Sequence, residues 1–262
     1  RGAVEFSQPL PTPPAVSSRA GRIYVTGEHS TLYALSADDF SCIGAYYLGH
    51  APQSIQAPPV VVSNKVAVAE NSGAETSSLT VLSLAENGVP TAVAADRRLK
   101  GLITTPLATQ ARRIAAVTSQ GQASVFEVGP GEGDSALVDI AARSGKLSEP
   151  IAHFAWMDRT TLWMAGKELT KFGIVASGNR LPVRSLDRDY TGGVFDHPLQ
   201  SFGQTLVYAR RIDGKAGISV GGVDMKSGES LWTTQLATPL AGPPAVHSTT
   251  MRVTAADAGG AV

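Results

Sequence analysis

Five histidines, His29, His50, His153, His197 and His247, are the side chains best suited to hold a metal or move protons near neutral pH. Each falls in a different stretch of the chain, and no two have the short helical or turn spacing of zinc ligands. The single cysteine, Cys42, excludes an internal disulfide and a thiolate cluster. No Gly-x-Ser-x-Gly elbow presents a serine nucleophile. The glycine-dense run Val128-Gly129-Pro130-Gly131-Glu132-Gly133-Asp134 lacks the Lys-Ser/Thr of a phosphate-cradling loop and reads as a hairpin loop. No catalytic residue and no metal site is assigned.

One polar set remains. Gln56, Thr105, Glu149, Asp196 and His197 each stand shortly before a proline that recurs along the chain, with His153 and Gln200 just after such a proline. If the prolines open equivalent strands, these residues belong to equivalent loops. Gln56, Thr105, Asp196, His197 and Gln200 are then candidates for a polar mouth able to hold a small ligand or a peptide tip. A plain solvated loop surface is the alternative.

The elements that must position them are set by those prolines. Pro14, Pro59, Pro106, Pro150, Pro198 and Pro244 stand 45, 47, 44, 48 and 46 residues apart, a repeat that runs through all 262 residues. About eight residues after each comes a β-branched run, as in Arg22-Ile23-Tyr24-Val25-Thr26, Arg113-Ile114-Ala115-Ala116-Val117 and Thr161-Leu162-Trp163-Met164-Ala165. A third run follows a polar turn (Thr31–Leu35, Leu79–Leu82, Ala123–Phe126, Leu169–Phe172, Ile218–Val220), and a weaker fourth closes the unit (Ile43–Tyr47, Ser230–Thr233). Apolar spacing is period two or continuous, never 3.6, so no helix is expected. Four antiparallel strands in about 46 residues make one blade of a β-propeller.

The best-formed turn is Val223-Asp224-Met225-Lys226-Ser227-Gly228-Glu229-Ser230-Leu231-Trp232. Asp224 can accept backbone N–H bonds two and three residues on, Gly228 can take positive φ, and Trp232 follows on the outer strand, placed to pack against the next blade. This turn resembles the Asp-x-x-Thr/Ser-Gly-x-x-x-Trp turn of pyrroloquinoline-quinone-type, quinoprotein-like (WD40-like) β-propeller repeats. The phrases Arg22-Ile23-Tyr24-Val25 and Leu32-Tyr33-Ala34-Leu35 look like that repeat's middle strands. Only the fifth unit carries the whole motif. WD-type repeats are the competing assignment, but neither their Gly-His nor their Trp-Asp punctuation stands at the right interval. The enzymes of the quinoprotein family hold their cofactor with adjacent cysteines, which this chain lacks. No cofactor is therefore expected.

The expectation is an all-β chain forming a single β-propeller domain over residues 1–262. Its units fall near 10–54, 55–101, 102–146, 147–193, 194–239 and a partial 240–262. That gives five complete four-stranded blades plus a shared or truncated sixth, with a seven- or eight-bladed ring as the larger alternative. The segment Gly2–Gln8 stands where a fourth strand of a preceding blade would sit, and the first residue is Arg rather than Met, both read as a piece of a longer product.

Charge balances, 22 basic against 22 acidic residues, so no overall field draws nucleic acid or an anionic membrane. No apolar run is long enough to span a bilayer. The basic doublets Arg97-Arg98, Arg112-Arg113 and Arg210-Arg211 read as solvated strand edges, and Tyr46-Tyr47 as an outer strand. The resemblance implies a non-enzymatic propeller scaffold for protein–protein binding, an extracytoplasmic assembly or sensor module at a periplasmic or cell-surface address. A degenerate quinoprotein-like oxidoreductase, or a small-ligand sensor at the channel mouth, is the alternative. A protein partner is expected, with a small-molecule ligand open, and neither nucleic acid nor membrane insertion.

Overall fold

A computed structural model describes residues 5–6, 8–49, 51–145, 150–175, 179–186 and 190–259. Twenty-three strands and two short 3-10 turns make up its regular structure, and four of its six sheets are four-stranded antiparallel meanders in which sequence neighbours pair. These are propeller blades. The chain falls into two compact units, residues 1–150 with 176–180, and residues 151–175 with 181–262.

The first unit holds three blades. Blade 1 is β1 (Ala15–Ser17), β2 (Arg22–Thr26), β3 (Thr31–Ser36) and β4 (Cys42–Tyr47). Blade 2 is β5 (Val60–Val62), β6 (Lys65–Ser72), β7 (Thr76–Leu84) and β8 (Pro90–Lys100). Blade 3 is β9 (Ala108–Gln110), β10 (Arg113–Val117), β11 (Ala123–Val128) and β12 (Leu137–Arg143). Proline has no N–H to give a ladder, so it sits where a strand opens. Pro14 and Pro59 directly precede β1 and β5.

Period-two alternation then decides which neighbour each side chain meets. On β6, Val66 and Val68 pack with Tyr24, Leu32 and Ala34 of blade 1, while Ala67 and Ala69 pack with Ile114, Ala116 and Phe126 of blade 3. A strand buried on both faces reads as a continuous apolar run, which is what Val66-Ala67-Val68-Ala69 is. Polar bonds stitch the same seams. Tyr24 donates its hydroxyl to the Gly88 carbonyl at 2.8 Å, and Asn71 bonds both backbone groups of Ile103.

The second unit begins with blade 4: β13 (Phe154–Met157), β14 (Thr161–Ala165), β15 (Leu169–Gly173) and β16 (Val183–Arg184). Blade 5 is β17 (Gly193–Phe195), β18 (Gln200–Phe202), β19 (Thr205–Ile212), β20 (Ile218–Asp224) and β21 (Ser230–Leu236). A two-stranded sheet, β22 (Ala245–His247) and β23 (Arg252–Thr254), follows. Leu206 and Tyr208 of β19 face Trp163 and Leu169 of blade 4, and Val207 and Ala209 face Leu240 with Val246 and Val253.

Several strands differ from expectation. Blade 4 opens at Phe154, four residues after Pro150, and its fourth strand is only two residues long. Blade 5 has a divided first strand: β17 and β18 both pair with β19, on either side of Asp196-His197-Pro198-Leu199. The proline there interrupts pairing rather than opening it, so β17 lies outside the proline-based pattern. Of segment 2–8, residues 2–4 and 7 lie outside the described residues; Phe6 packs tilted against Tyr33 with centroids 5.8 Å apart, and Gln8 donates to the Tyr33 hydroxyl. Neither belongs to a strand.

Candidate functional site

Two of the five candidate mouth residues belong to the first unit. Gln56 is exposed and its amide reaches only the Gln53 carbonyl, at 3.4 Å. Thr105 is buried and engaged within the fold. Glu149 lies outside the described residues.

Asp196, His197 and Gln200 belong to the second unit, and the break in the first strand of blade 5 brings the first two together. Asp196 Oδ2 accepts from Arg211 Nε at 2.9 Å, and its Oδ1 stands 3.8 Å from His197 Nε2. Arg211 is mostly exposed, so this pair fixes the loop more than it stabilises the fold. Gln200 sits in β18 opposite Val207. His153 is buried, its ring laid over Gly166, where a Cβ would fall 2.5 Å from Cδ2.

The neighbouring Arg210 corrects one expectation. Read as a solvated edge, it is only 8 % exposed. Alternation places it on the same side of β19 as Tyr208, and its guanidinium lies 5.6 Å from the Tyr190 ring centroid and 5.8 Å from that of Phe195. Of the other doublets, Arg97 lies within β8 and pairs with Asp134 at 2.8 Å, while Arg113 opens β10 and lies 3.7 Å from Glu127.

The turn motif is built as its residue types require. Asp224 Oδ1 accepts from the Lys226 and Ser227 N–H groups at 2.9 and 2.7 Å, and from the Ser227 hydroxyl at 3.0 Å. Those bonds, the Ser227 N–H foremost, hold its carboxyl below the usual value. Gly228 takes φ +83°, and Trp232 packs among Val207, Leu240 and Val246 at the seam with the last sheet.

A second constellation lies on the outer strands. Tyr47 on β4, Val93 on β8, Val138 on β12, Val183 on β16 and Leu231 on β21 are all exposed, from 43 % at Val138 to 57 % at Tyr47. Each complete blade thus presents one large apolar side chain on its fourth strand, at sequence intervals of 46, 45, 45 and 48 residues. In blades 1, 2, 3 and 5 that strand carries a β-bulge opposite equivalent third-strand steps: Ala34/Leu35, Val81/Leu82, Val125/Phe126 and Gly222/Val223. Bulges and charges such as Asp96, Arg97, Arg98 and Lys100 on β8 obstruct further strand addition. The side chains, rather than the backbone edge, are left to make contacts. Of these five, the sequence places Tyr47 and Leu231 on fourth strands; the repeat period would have flagged the others had exposure been legible.

No protein-family model matches the chain, and no curated protein matches it in sequence. In fold it is similar to BamB from Moraxella catarrhalis, at 15 % identity and TM-score 0.63 over 98 % of this chain and 70 % of that one. It is also similar to the WD40 domain of SCAP from fission yeast (15 % identity, TM-score 0.57, 95 % and 63 % covered) and to U3-55K (12 %, 0.58, 94 % and 70 %). The chain spans between 63 and 70 % of the length of these structures. The sheets and these neighbours define an all-β chain with a β-propeller fold, similar to that of BamB and of WD40 domains.

Proposed function

We propose that this chain is a non-enzymatic scaffold whose outer blade edges bind a partner protein. The observation that carries the reading is the recurrence of one exposed apolar side chain on the bulged fourth strand of successive blades. Burying such a side chain against a partner contributes about 1.5–3 kcal/mol, so a few of them outweigh the modest value of exposed ion pairs. Large apolar side chains set among charges suit a protein interface with an apolar centre and polar rim. The propeller neighbours agree with this reading at the level of fold. By the same resemblance, we place the scaffold outside the cytoplasm, as an assembly or sensor module, and treat residues 1–262 as one propeller domain.

The test is affinity capture from native lysate with the unaltered chain and with the combined variant Val93→Ser, Val138→Ser, Leu231→Ser. A specific partner retained by the first and lost from the second, at unchanged melting temperature, is the expected result. Equal retention by both contradicts the edge reading.

A further inference from the structure

An open cavity of about 600 Å³ lies in the second unit, lined by Thr160, Thr161, Lys171, Val183, Arg184 and Lys226 among others. Three of its side chains are cationic. Lys171 of β15 and Arg184 of β16 stand directly opposite each other on antiparallel strands, a like-charge arrangement that costs stability unless something else is served by it. Arg184 folds over Gly173, where a Cβ would fall 2.7 Å from its Nε, so the absence of a side chain there gives the guanidinium its place. Lys171 donates to the Lys226 carbonyl at 2.7 Å, which draws the blade 5 turn against the two cations.

Among the described residues, none of the three cations has a carboxylate within ion-pair distance. The nearest acids serve their own turns. Asp158 Oδ1 accepts from the Thr160 and Thr161 N–H groups, and Asp224 Oδ1 from those of Lys226 and Ser227. Burial depresses the Lys171 ammonium, Asp224 and Asp158 draw it back up, and Arg184 lowers it further. A chain of zero net charge therefore gathers three cations around one cavity; Asp158 and Asp224 act on Lys171 from a distance and the Trp163 ring lies 5.5 Å from its ammonium, but no described carboxylate forms an ion pair with any of the three.

We infer that this cavity receives an acidic peptide segment of a protein partner, its carboxylates meeting Lys171, Arg184 and Lys226 and its apolar part lying on the exposed Val183. The inference deepens the edge-binding reading and rests on it. The volume exceeds what a single phosphate fills, the hydroxyls of Thr160, Thr161 and Ser185 supply further donors, and the lining has no aromatic face on which a base could stack.

The experiment is fluorescence anisotropy of a labelled hexaglutamate peptide with the whole chain. Hexalysine, an oligothymidylate and inorganic tripolyphosphate serve as comparisons. The expected result is saturable binding of hexaglutamate alone or well ahead of the others, weakening with salt. Arg184→Glu combined with Lys226→Glu lowers it roughly tenfold. Arg184→Gln, which leaves all other contacts in place, lowers it by a smaller factor. Because Arg184 and Lys226 are exposed, unchanged circular dichroism accompanies these losses. Undiminished binding by the variants overturns the assignment, as does equal or tighter binding of the oligothymidylate or of tripolyphosphate. Loss of peptide binding in these variants while Val93 and Val138 still contact the partner separates this site from the rest of the edge surface; no binding of hexaglutamate with those contacts intact sinks this inference alone.

Discussion

Asn71 holds Ile103 by both of its backbone groups, donating from Nδ2 to the carbonyl at 3.0 Å and accepting at Oδ1 from the N–H at 2.8 Å. Both residues are buried, so one amide side chain satisfies a peptide that water cannot reach. This joins β6 of blade 2 to the segment that leads into blade 3.

Asn71→Ala removes both bonds and leaves two buried polar groups without partners. The expected loss is about 2–4 kcal/mol of unfolding free energy, read from urea titration. Asn71→Leu is expected to fare no better, because extra apolar volume does not satisfy the Ile103 peptide.

Tyr24 makes the corresponding bond at the seam between blades 1 and 2, hydroxyl to Gly88 carbonyl, in a site whose burial raises the phenol above its ordinary value. Tyr24→Phe keeps the ring packing and loses the bond. It should cost about 1–2 kcal/mol in the same titration, less than Asn71→Ala.

Gly222 and Trp232 are cross-strand partners, and a Cβ at Gly222 would fall 2.4 Å from Trp232 Nε1. The missing side chain makes room for the indole. Gly222→Ala should therefore destabilise by about 1–3 kcal/mol, and markedly less when Trp232 is already alanine. A double-mutant cycle by thermal unfolding checks this; simple additivity would show that the ring and the glycine do not share the space.

These contacts also show what was legible beforehand. The proline period, the β-branched second strands and the Asp224–Gly228–Trp232 turn are local patterns, and β2, β10 and β14 run over the residues that the sequence indicated. The divided first strand of blade 5 was not legible, because whether Pro198 opens a strand or interrupts one depends on the reach of β19. Arg210 was misread because burial over Tyr190 and Phe195 is decided by alternation along a strand longer than its apolar run. The polar mouth depends on how loops of different blades approach one another, which local sequence does not encode; within the second unit Asp196 Oδ1 stands 3.8 Å from His197 Nε2 and Asp196 is bonded by Arg211. The outer apolar set escaped notice because a lone valine on a short strand looks the same in sequence whether it faces a blade or water.

Acid stability should depend on Asp224. Its carboxyl is depressed below the ordinary value of 3.8, so the stabilisation is present above that value and is lost as pH falls through the lower folded value. The unaltered chain should lose stability more steeply than Asp224→Asn between about pH 4 and about pH 2, with the two curves parallel above about pH 5. The difference should be small, because the Asp224 carboxyl itself is little buried and solvent screens it. Parallel curves throughout would show that the N–H bonds to Asp224 Oδ1 do not favour its charged form.

The claim that the outer edges bind protein is met most directly by site-specific photo-cross-linking in the native lysate. A benzophenone side chain is placed in turn at Val93, Val138 and Leu231 on fourth strands, and at exposed Gln110 on a first strand as the comparison. The account predicts the same discrete protein adduct from the fourth-strand positions and none from Gln110. Adducts from Gln110 alone, or no adduct from any fourth-strand position, would contradict it.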